Sequence, residues 1–269
     1  MKNKLIEVEN LSFKFKKEDD YFFNNLNFEI YEKEKVVIFG LNGSGKSTLG
    51  KILVGLYKIF DGCINYLNND TIQTKISMVI QNPDNAIIGK TVEEELAFSL
   101  QNLDLTYDQM HLQFNEIIKL MNLEKYVKSD INVLSGGIKQ KVSIASCLIS
   151  NPNILILDEI KNQLDLYEQK YLDEVIYDLW KIKNKTLILI SHDLNDVFDA
   201  NQIFYLNSKH QFFKFNDPFL FIDFLYENKL DEKIQIPDFI KLKKALNLDL
   251  RLNYNEALEF ILNQNEKYN

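Results

Sequence analysis

Arginine is almost absent from this sequence of 269 residues. Of its 31 basic residues only Arg251 is an arginine, so lysine carries nearly all of the positive charge. No arginine lies near the glycine-rich loop at residues 40–48 in sequence. If that loop binds an anion, the charge must be stabilised by lysine, by a metal ion or by backbone dipoles rather than by an arginine from a neighbouring segment.

Cysteine, long apolar runs and an excess of positive charge are also missing. The two cysteines, Cys63 and Cys147, lack the spacing of a metal site and are expected to be buried thiols in a reducing compartment. No apolar run approaches the length needed to span a bilayer, and residues 1–7 lack the apolar core of a signal peptide. The net charge of −8 argues against a surface that coats nucleic acid. We expect a soluble protein with no direct membrane insertion and no nucleic acid partner.

Glycine is scarce too, at nine residues, yet three glycines fall in one short stretch. The stretch follows an apolar run at 36–39, precedes a helical pattern at 48–54, and has the G-x-x-x-x-G-K-S spacing of a P-loop. Backbone N–H groups of such a loop cradle phosphate oxygens, and the helix N-terminus adds partial positive charge. Lys46 would reach the β- and γ-phosphates, and the Ser47 hydroxyl would ligate Mg²⁺. The predicted nucleotide loop consists of Gly40, Leu41, Asn42, Gly43, Ser44, Gly45, Lys46, Ser47 and Thr48.

Upstream of this loop, partial alternation of apolar residues over 5–15 and 22–30 predicts a small antiparallel sheet. Phe13 and Phe15 are interpreted most simply as core residues of that sheet. An aromatic side chain just before a P-loop could also stack on a nucleotide base, which is the alternative interpretation.

Two adjacent carboxylates follow the apolar run 154–157, which predicts a strand in a buried parallel sheet. Asp158 and Glu159 at the end of such a strand are costly to bury unless they hold a cation or take part in chemistry. Successive side chains of a strand point in opposite directions. Asp158 therefore suits Mg²⁺, and Glu159 suits the polarisation of a water molecule.

Gln81 and His192 end two further predicted strands, at the edge of an α/β sheet where ligands bind. For Gln81 alone, an ordinary turn with the following Asn-Pro pair is the simpler interpretation. His192 is the one histidine at a strand end, and we predict that His111 and His210 are surface residues.

Helical patterns occupy two further regions of the chain. Thr91 and Glu94 form a capping-box pattern, and the region of about 91–132 is mostly helical between strand-rich parts. A second helix start could bind an anion, although a serine N-cap with flexible glycines is the simpler interpretation. This second start consists of Ser135, Gly136 and Gly137. Beyond residue 216, helical segments are predicted at 218–225, 238–246 and 254–262.

In order and spacing, these motifs resemble the ATPase subunits of ABC transporters. They are the P-loop, Gln81, Leu-Ser-Gly-Gly at 134–137, Leu-Asp-Glu at 157–159 and Ser-His-Asp at 191–193. Within that superfamily, the runs 81–85 and 91–98 resemble the energy-coupling factor (ECF) transporter ATPases, and most of all the first of their two paralogous ATPases.

The resemblance implies a fold class and a domain division. The fold would be an α/β P-loop ABC ATPase core with an antiparallel β-subdomain, an inserted helical subdomain and a small C-terminal helical domain. The ATPase domain would cover residues 1–215, with the helical insert at about 91–132, and the C-terminal helical appendage would cover 216–269.

The resemblance also implies site roles. Glu159 would be the catalytic base, His192 the switch histidine on the γ-phosphate, and Gln81 a residue near Mg²⁺ and the attacking water. The metal ligands would be Ser47, Gln81 and Asp158. ATP would contact the adenine-stacking Phe15 and the loop Gly40 to Thr48. Ser135, Gly136 and Gly137 would act on the nucleotide of the opposite subunit.

Two departures from the family pattern concern communication between subunits. Ile138 replaces the usual glutamine of the signature, which loses a side-chain hydrogen bond. The segment 160–165, which ends in Asp165, lacks the small residues that the family favours there.

The implied function is ATP hydrolysis that drives uptake of a micronutrient, a vitamin or a transition metal ion. The cofactors would be ATP and Mg²⁺, and the protein would lie peripherally on the cytoplasmic face of the cell membrane. Its partners would be a paralogous ECF ATPase subunit in a heterodimer, a transmembrane coupling protein and a substrate-binding membrane subunit.

Three alternatives remain open. A soluble ABC ATPase acting on nucleic acid or the ribosome would predict tandem ATPase halves or a long coiled coil, and neither pattern occurs. The ATPase of another ABC transporter class is a second alternative. A nucleotide-gated interaction subunit without catalysis is a third, which the intact Lys46, Asp158, Glu159 and His192 argue against.

Overall fold

The structure is a computed structural model, and the part of the chain that it describes comprises residues 2–16, 20–67, 75–101, 103–162, 164–230, 234 and 236–245. Its strands are β1 (Lys4–Phe13), β2 (Phe23–Tyr31), β3 (Lys35–Phe39), β4 (Asp61–Tyr66), β5 (Ile76–Val79), β6 (Ile154–Asp158), β7 (Thr186–Ser191), β8 (Gln202–Leu206) and β9 (Phe212–Phe215). Its α-helices are α1 (Lys46–Leu53), α2 (Val92–Gln101), α3 (Tyr107–Leu120), α4 (Gly136–Leu148), α5 (Leu166–Tyr177), α6 (Pro218–Glu227) and α7 (Asp238–Ala245).

The strands form two sheets. The smaller sheet has the order β2-β1-β4 and is antiparallel throughout, which confirms the antiparallel sheet predicted before the P-loop. The larger sheet has the order β5-β6-β7-β3-β8-β9 and is parallel except for β9. Since parallel strands are covered on both faces, β3, β6 and β7 are apolar and buried along most of their length.

Alternate residues of the central strands enter two different cores. Leu155 and Leu157 of β6 pack in the core on the side of α2 to α6, whereas Ile154 and Ile156 pack in the core on the side of α1 and the smaller sheet. The same alternation runs through β3, β7 and β8. Because side chains of a strand alternate in direction, the sheet is the middle layer of the molecule.

Helix α5 ends earlier than the apolar spacing of its sequence indicates. The pattern predicts one helix over 167–182, whereas α5 ends at Tyr177 and a π-helical turn, Asp178–Ile182, follows it. The turn keeps Trp180 buried, with its indole Nε1 donating to the backbone oxygen of Lys33 at 2.9 Å. A wider turn thus brings a large side chain onto the sheet, which simple helical periodicity does not encode.

The predicted helical insert begins and ends at a paired point. Thr91 and Asp130 form an isolated antiparallel bridge, and α2 and α3 lie between them and pack on α4. Thr91 Oγ1 accepts from the Glu94 N–H at 3.2 Å and the Glu94 carboxylate accepts from the Thr91 N–H at 3.3 Å, which confirms the capping box.

Helices α6 and α7 follow the last strand, as predicted, and the third predicted helix, at 254–262, lies outside the described residues together with Arg251. Phe221 of α6 contacts the rings of Phe39 and Tyr205, so α6 packs directly on the main core. The division into domains at residue 215 stays a prediction. None of the helices described combines the length and apolar character of a bilayer-spanning segment.

Candidate nucleotide site

The predicted site residues meet at the carboxyl-terminal edge of the large sheet. The loops that follow β3, β5, β6 and β7 all leave from this edge because the four strands are parallel. Asp158 has the same position in the alternation as Ile154 and Ile156, which face α1. Its side chain is therefore directed at the helix that begins in the P-loop.

Asp158 and Ser47 form a pair at the start of α1. Ser47 Oγ donates to Asp158 Oδ1 at 2.9 Å, and Asp158 is buried. Burial raises the pKa of the Asp158 carboxyl, the Ser47 hydrogen bond partly offsets this, and the charge of Glu159 adds to the rise. A cation beside this carboxylate would relieve the burial penalty.

The donor set of this pair fits Mg²⁺. The described residues contain no group of three or more His, Cys, Asp or Glu side chains that could hold a metal ion by themselves. One carboxylate and one hydroxyl are what a Mg²⁺ site needs when water and phosphate oxygens fill the remaining positions.

Two glycines of the P-loop have backbone conformations that favour glycine. Gly43 has φ +79° and Gly45, the N-cap of α1, has φ +102°. A Cβ atom at Gly45 would lie 2.8 Å from the ring of Phe22. No side chain caps α1, which leaves its first N–H groups available to a bound phosphate.

A cavity of about 330 Å³ lies against this loop. It is lined by Phe22, Asn42, Gly43, Gly45, Lys46, Ser47, Thr48, Gln81 and Glu159. The cavity thus brings together the P-loop and the ends of β5 and β6, as the sequence predicts. Phe22 is a lining residue that sequence reasoning missed, since an aromatic side chain at the start of a strand carries no distinctive signal.

Lys46 is buried at the centre of the loop. Its Nζ donates to the backbone oxygens of Gly40, at 2.9 Å, and Leu41, at 3.2 Å. The same atom lies 3.2 Å from Oε1 of Glu159. The lysine charge is therefore compensated within the loop, in a position from which it can turn towards a phosphate.

Glu159 has more polar contacts than any single motif predicts. Its Oε2 accepts from Gln81 Nε2 at 3.2 Å and from Asn162 Nδ2 at 2.9 Å, and its Oε1 lies 3.6 Å from His192 Nδ1. Glu159 has φ +48°, an uncommon conformation for a residue other than glycine. Such strain is typical of positions where the backbone must direct a side chain into a site.

Asn162 is a second residue that the motifs did not single out. Its backbone N–H donates to the backbone carbonyl oxygen of Glu159 at 3.3 Å, so the four residues 159–162 form one tight turn. The turn brings the amide side chain back onto the carboxylate three residues earlier. Only the geometry of the turn reveals this contact.

Phe15 lies at the edge of an aromatic cluster near the P-loop. The Phe15 side chain is 55% exposed, and its ring contacts those of Phe13, Phe22 and Tyr57. Phe13 is buried, as the core interpretation predicts. The interpretation of Phe15 as a core residue of the sheet is therefore wrong, since β1 ends at Phe13 and the Phe15 ring is fixed on one side only. Its other face is available to a base, as the alternative interpretation requires.

His210 differs from its prediction as a surface residue. Its Nδ1 lies 3.0 Å from the backbone oxygen of Ser44, and its ring stacks on Phe22 at 3.9 Å. The residue is half-buried against the P-loop at the turn between β8 and β9. A contact across 166 positions in sequence has no local signal. His111 is exposed on α3, as predicted.

The second predicted anion site lies apart from the cavity. Ser135 caps α4 by accepting from the Ile138 N–H at 3.3 Å, and Ser135 and Gly136 are exposed. A Cβ atom at Gly137 would lie 2.2 Å from the carboxylate of Glu168. Ile138 packs against the main core. None of the four lines the P-loop cavity.

The fold is found in solved structures of ABC cassettes. CbiO1 of Clostridium perfringens, described as part of the ABC transporter complex CbiONQ, matches with a TM-score of 0.73 and 24% identity, over 90% of this chain and 99% of that protein. MJ0796, described as a dimeric bacterial ABC transporter cassette, matches with a TM-score of 0.66 and 26% identity, over 76% of this chain and 95% of that one. A family model described as ABC transporter matches residues 23–162. The fold is that of an ABC-type ATPase, which confirms the predicted fold class.

Relatives narrow the family further. The ECF transporter ATP-binding protein EcfA of Malacoplasma penetrans is 34% identical over 98% of this chain and 93% of its own length. The ECF transporter ATP-binding protein EcfA1 of Mycoplasmopsis synoviae is 36% identical over 90% of this chain and 94% of its own length. The chain therefore belongs to the family of energy-coupling factor transporter ATP-binding proteins.

Proposed function

We propose that this chain hydrolyses Mg-ATP to drive an ECF importer, with Glu159 as the general base. The contacts of Glu159 are the observation that carries this proposal. One carboxylate, whose side chain is only 9% exposed, meets the P-loop lysine, Gln81 and His192 at the edge of the cavity. A general base must lie within reach of the water that it activates, and this cavity is where the water would enter.

Other residues take complementary roles. Ser47 and Asp158 would hold Mg²⁺, and Gln81 lines the same cavity as Ser47; the bound metal would supply positive charge beside the transferring phosphoryl group. The Lys46 ammonium leaves the backbone oxygens of Gly40 and Leu41 and binds phosphate instead. His192, which lies beside Glu159, donates a hydrogen bond to the γ-phosphate. Phe15 stacks on the adenine through its exposed face.

A second ATPase subunit completes each site. Ser135 and Gly136 are exposed and lie outside the lining of this chain's own cavity. The start of α4 therefore serves the nucleotide of the partner, and the partner's equivalent helix serves this one. Relatives named EcfA1 support a paralogue as the partner rather than a second copy.

Membrane subunits dock on the segment 81–95. The acidic side chains there are less available than their number suggests, because Asp84 pairs with Lys139 at 2.7 Å and Glu95 is buried. Glu95 accepts from the Ile88 and Gly89 N–H groups, both at 2.8 Å, and thereby fixes the loop that presents Ile88. Ile88 is 75% exposed and is the apolar anchor of this surface.

The imported substrate is a micronutrient, a vitamin or a transition metal ion, and the chain lies peripherally on the cytoplasmic face of the membrane. The partners are the paralogous ATPase, a transmembrane coupling protein and a substrate-binding membrane subunit. The names of the ECF relatives support the transporter partners, and CbiO1 is described as part of an ABC transporter complex.

Purification through an affinity tag on this chain, from its own cells in mild detergent, tests the proposal. Mass spectrometry should identify a second ATPase and membrane subunits, and the complex should hydrolyse ATP only with Mg²⁺. A purification with the tag alone is the control. Recovery of the chain with ribosomes or nucleic acid, or without any membrane protein, would contradict the proposal.

A further inference from the structure

Two loops of the site are tied together by a side chain outside the motifs. Lys161 lies in the tight turn 159–162, and its Nζ lies 2.5 Å from Oδ1 of Asp196. Asp196 lies on the short 3₁₀ turn Leu194–Val197, which follows β7. The ion pair therefore connects the turn that begins with Glu159 to the loop that carries His192.

The connection continues from Asp196 to both neighbours of His192. Ser191 Oγ donates to Asp196 Oδ2 at 2.6 Å, and the same hydroxyl oxygen accepts from the Asp193 N–H at 3.0 Å. Ser191 and Asp196 are both 8% exposed, so these bonds are shielded from water. His192 is thus the residue between two anchored positions, while its own side chain is 50% exposed.

The lysine remains charged in this environment. Burial by itself would lower the pKa of the Lys161 ammonium, but the Asp196 and Asp173 carboxylates outweigh it and raise that pKa. Asp173 Oδ1 lies 2.6 Å from the same Nζ, on the exposed face of α5. Lys161 therefore has one buried partner next to the site and one exposed partner away from it.

We propose that Lys161 is a positioning residue for ATP hydrolysis, which holds the His192 loop at a fixed place relative to Glu159 through Asp196. The proposal rests on the function proposed above for Glu159 and His192. Rate depends steeply on such placement, because a shift of about 1 Å can lower turnover by about 100-fold. ATP binding depends on the P-loop, and the ion pairs and hydrogen bonds described here for Lys161, Asp196 and Ser191 all go to residues outside that loop.

The test compares three single variants in the complex purified through this chain. Lys161→Met keeps an unbranched side chain one atom shorter and removes the charge, and should lower kcat by roughly 10- to 100-fold with the KM for ATP nearly unchanged. Lys161→Arg should recover most of the turnover. Asp173→Asn is the matched control, since it removes the other carboxylate from the same ammonium and should leave kcat close to the wild-type value.

A double variant separates positioning from simple instability. Lys161→Met leaves the buried Asp196 without its cation, which can destabilise the fold. Lys161→Met with Asp196→Asn removes both charges, and should recover the melting temperature but not kcat. Recovery of kcat by the double variant, wild-type kcat in Lys161→Met, or an equal loss in Asp173→Asn would each overturn the proposal. An inactive wild-type complex would instead contradict the proposed function.

Discussion

The family resemblance implies phosphate binding at two helix N-termini of this chain, and the two differ in what surrounds them. The start of α1 has no side-chain cap, and Lys46, Ser47 and Asp158 are already paired around it. The start of α4 is capped by Ser135, exposed to solvent, and close to the carboxylate of Glu168.

This difference separates a nearly complete site from half of one. Around α1 the chain itself supplies the Lys46 cation, the Ser47–Asp158 oxygen pair that we propose for Mg²⁺ and the Glu159 carboxylate that we propose as the base, and Lys46, Ser47 and Glu159 line one cavity. Around α4 it supplies backbone N–H groups and a hydroxyl that do not line the P-loop cavity, and in the proposed function the partner subunit brings the phosphate to them. Single substitutions near α1 should therefore impair the nucleotide site of this chain itself. Substitutions at the start of α4 should lower activity only in the assembled complex.

The largest effect is expected at the α1 site. Glu159→Gln removes the base while an amide of the same shape remains, so hydrolysis by the complex should fall by about 10²- to 10⁴-fold. ATP binding by the isolated chain should persist, because Lys46 and Ser47 are unchanged. A phosphate-release assay measures the rate of hydrolysis, and titration with nucleotide measures the affinity for ATP.

A matched substitution serves as its control. Glu227→Gln makes the same chemical change at an exposed position near the end of α6, and should leave both quantities as they are. Near-normal turnover in Glu159→Gln would remove this carboxylate from the mechanism.

Ser135→Arg addresses the α4 side. A bulky side chain at an exposed helix start should lower turnover of the complex by roughly 100-fold, as the loss of one preorganised donor to a phosphoryl group does. The isolated chain should bind Mg-ATP with unchanged affinity and, with or without the substitution, hydrolyse it slowly. If Ser135→Arg weakens ATP binding by the isolated chain, the two helix starts share one site and the comparison fails.

Asp158→Asn should separate stability from function at the α1 site. Since burial raises the pKa of this carboxyl, the folded protein pays for its ionised form at neutral pH, and the penalty disappears as pH falls through the raised pKa. The neutral amide avoids the penalty, so the nucleotide-free protein should melt at the same or a higher temperature. Affinity for Mg-ATP should fall by at least about tenfold, which corresponds to about 1.4 kcal/mol. A lower melting temperature with unchanged affinity would contradict this assignment.

The smallest effect is expected at the docking surface. Ile88→Asp should weaken assembly with membrane subunits by roughly 5- to 30-fold, which is the loss of about 1–2 kcal/mol, without changing ATP binding. Reversal of charge at Asp84 and Glu94 should also weaken assembly, although Glu94 caps α2 and its reversal affects the helix as well. Leu112→Asp is the control, since Leu112 is 64% exposed on α3. Equal losses in both apolar variants, measured by pull-down, would show that Ile88 has no special role.

Most of the fold could be predicted from local patterns. The run Ile154 to Leu157 predicts a buried strand. All four residues are apolar, so both faces of the strand carry apolar side chains and both must be covered. The glycine spacing of the P-loop predicts a strand, a loop and a helix. The loop needs a residue with φ near +102° at position 45, and glycine adopts that conformation readily. The end of α5 at Tyr177 was missed, since the π-helical turn that follows preserves an apolar pattern.

The candidate site could be predicted as a set of residues but not as a set of contacts. Parallel strands bring Gln81, Asp158 and His192 to one edge, and that is a property of topology. The contacts of Asn162 and His210 depend on a turn with a left-handed residue and on a partner 166 positions away. Neither the turn nor the distant pairing leaves a mark in a short window of sequence.

The alternation of side chains along β6 limits which changes of chain length the protein can accept. Adding or deleting one residue within this strand would exchange the two cores that its side chains enter, and would also turn Asp158 away from Ser47. Substitutions such as Ile156→Val would alter packing and leave the direction of the carboxylate unchanged. Natural insertions and deletions should therefore be confined to the loops, because the length of β6 sets the position of Asp158 and Glu159 relative to the P-loop.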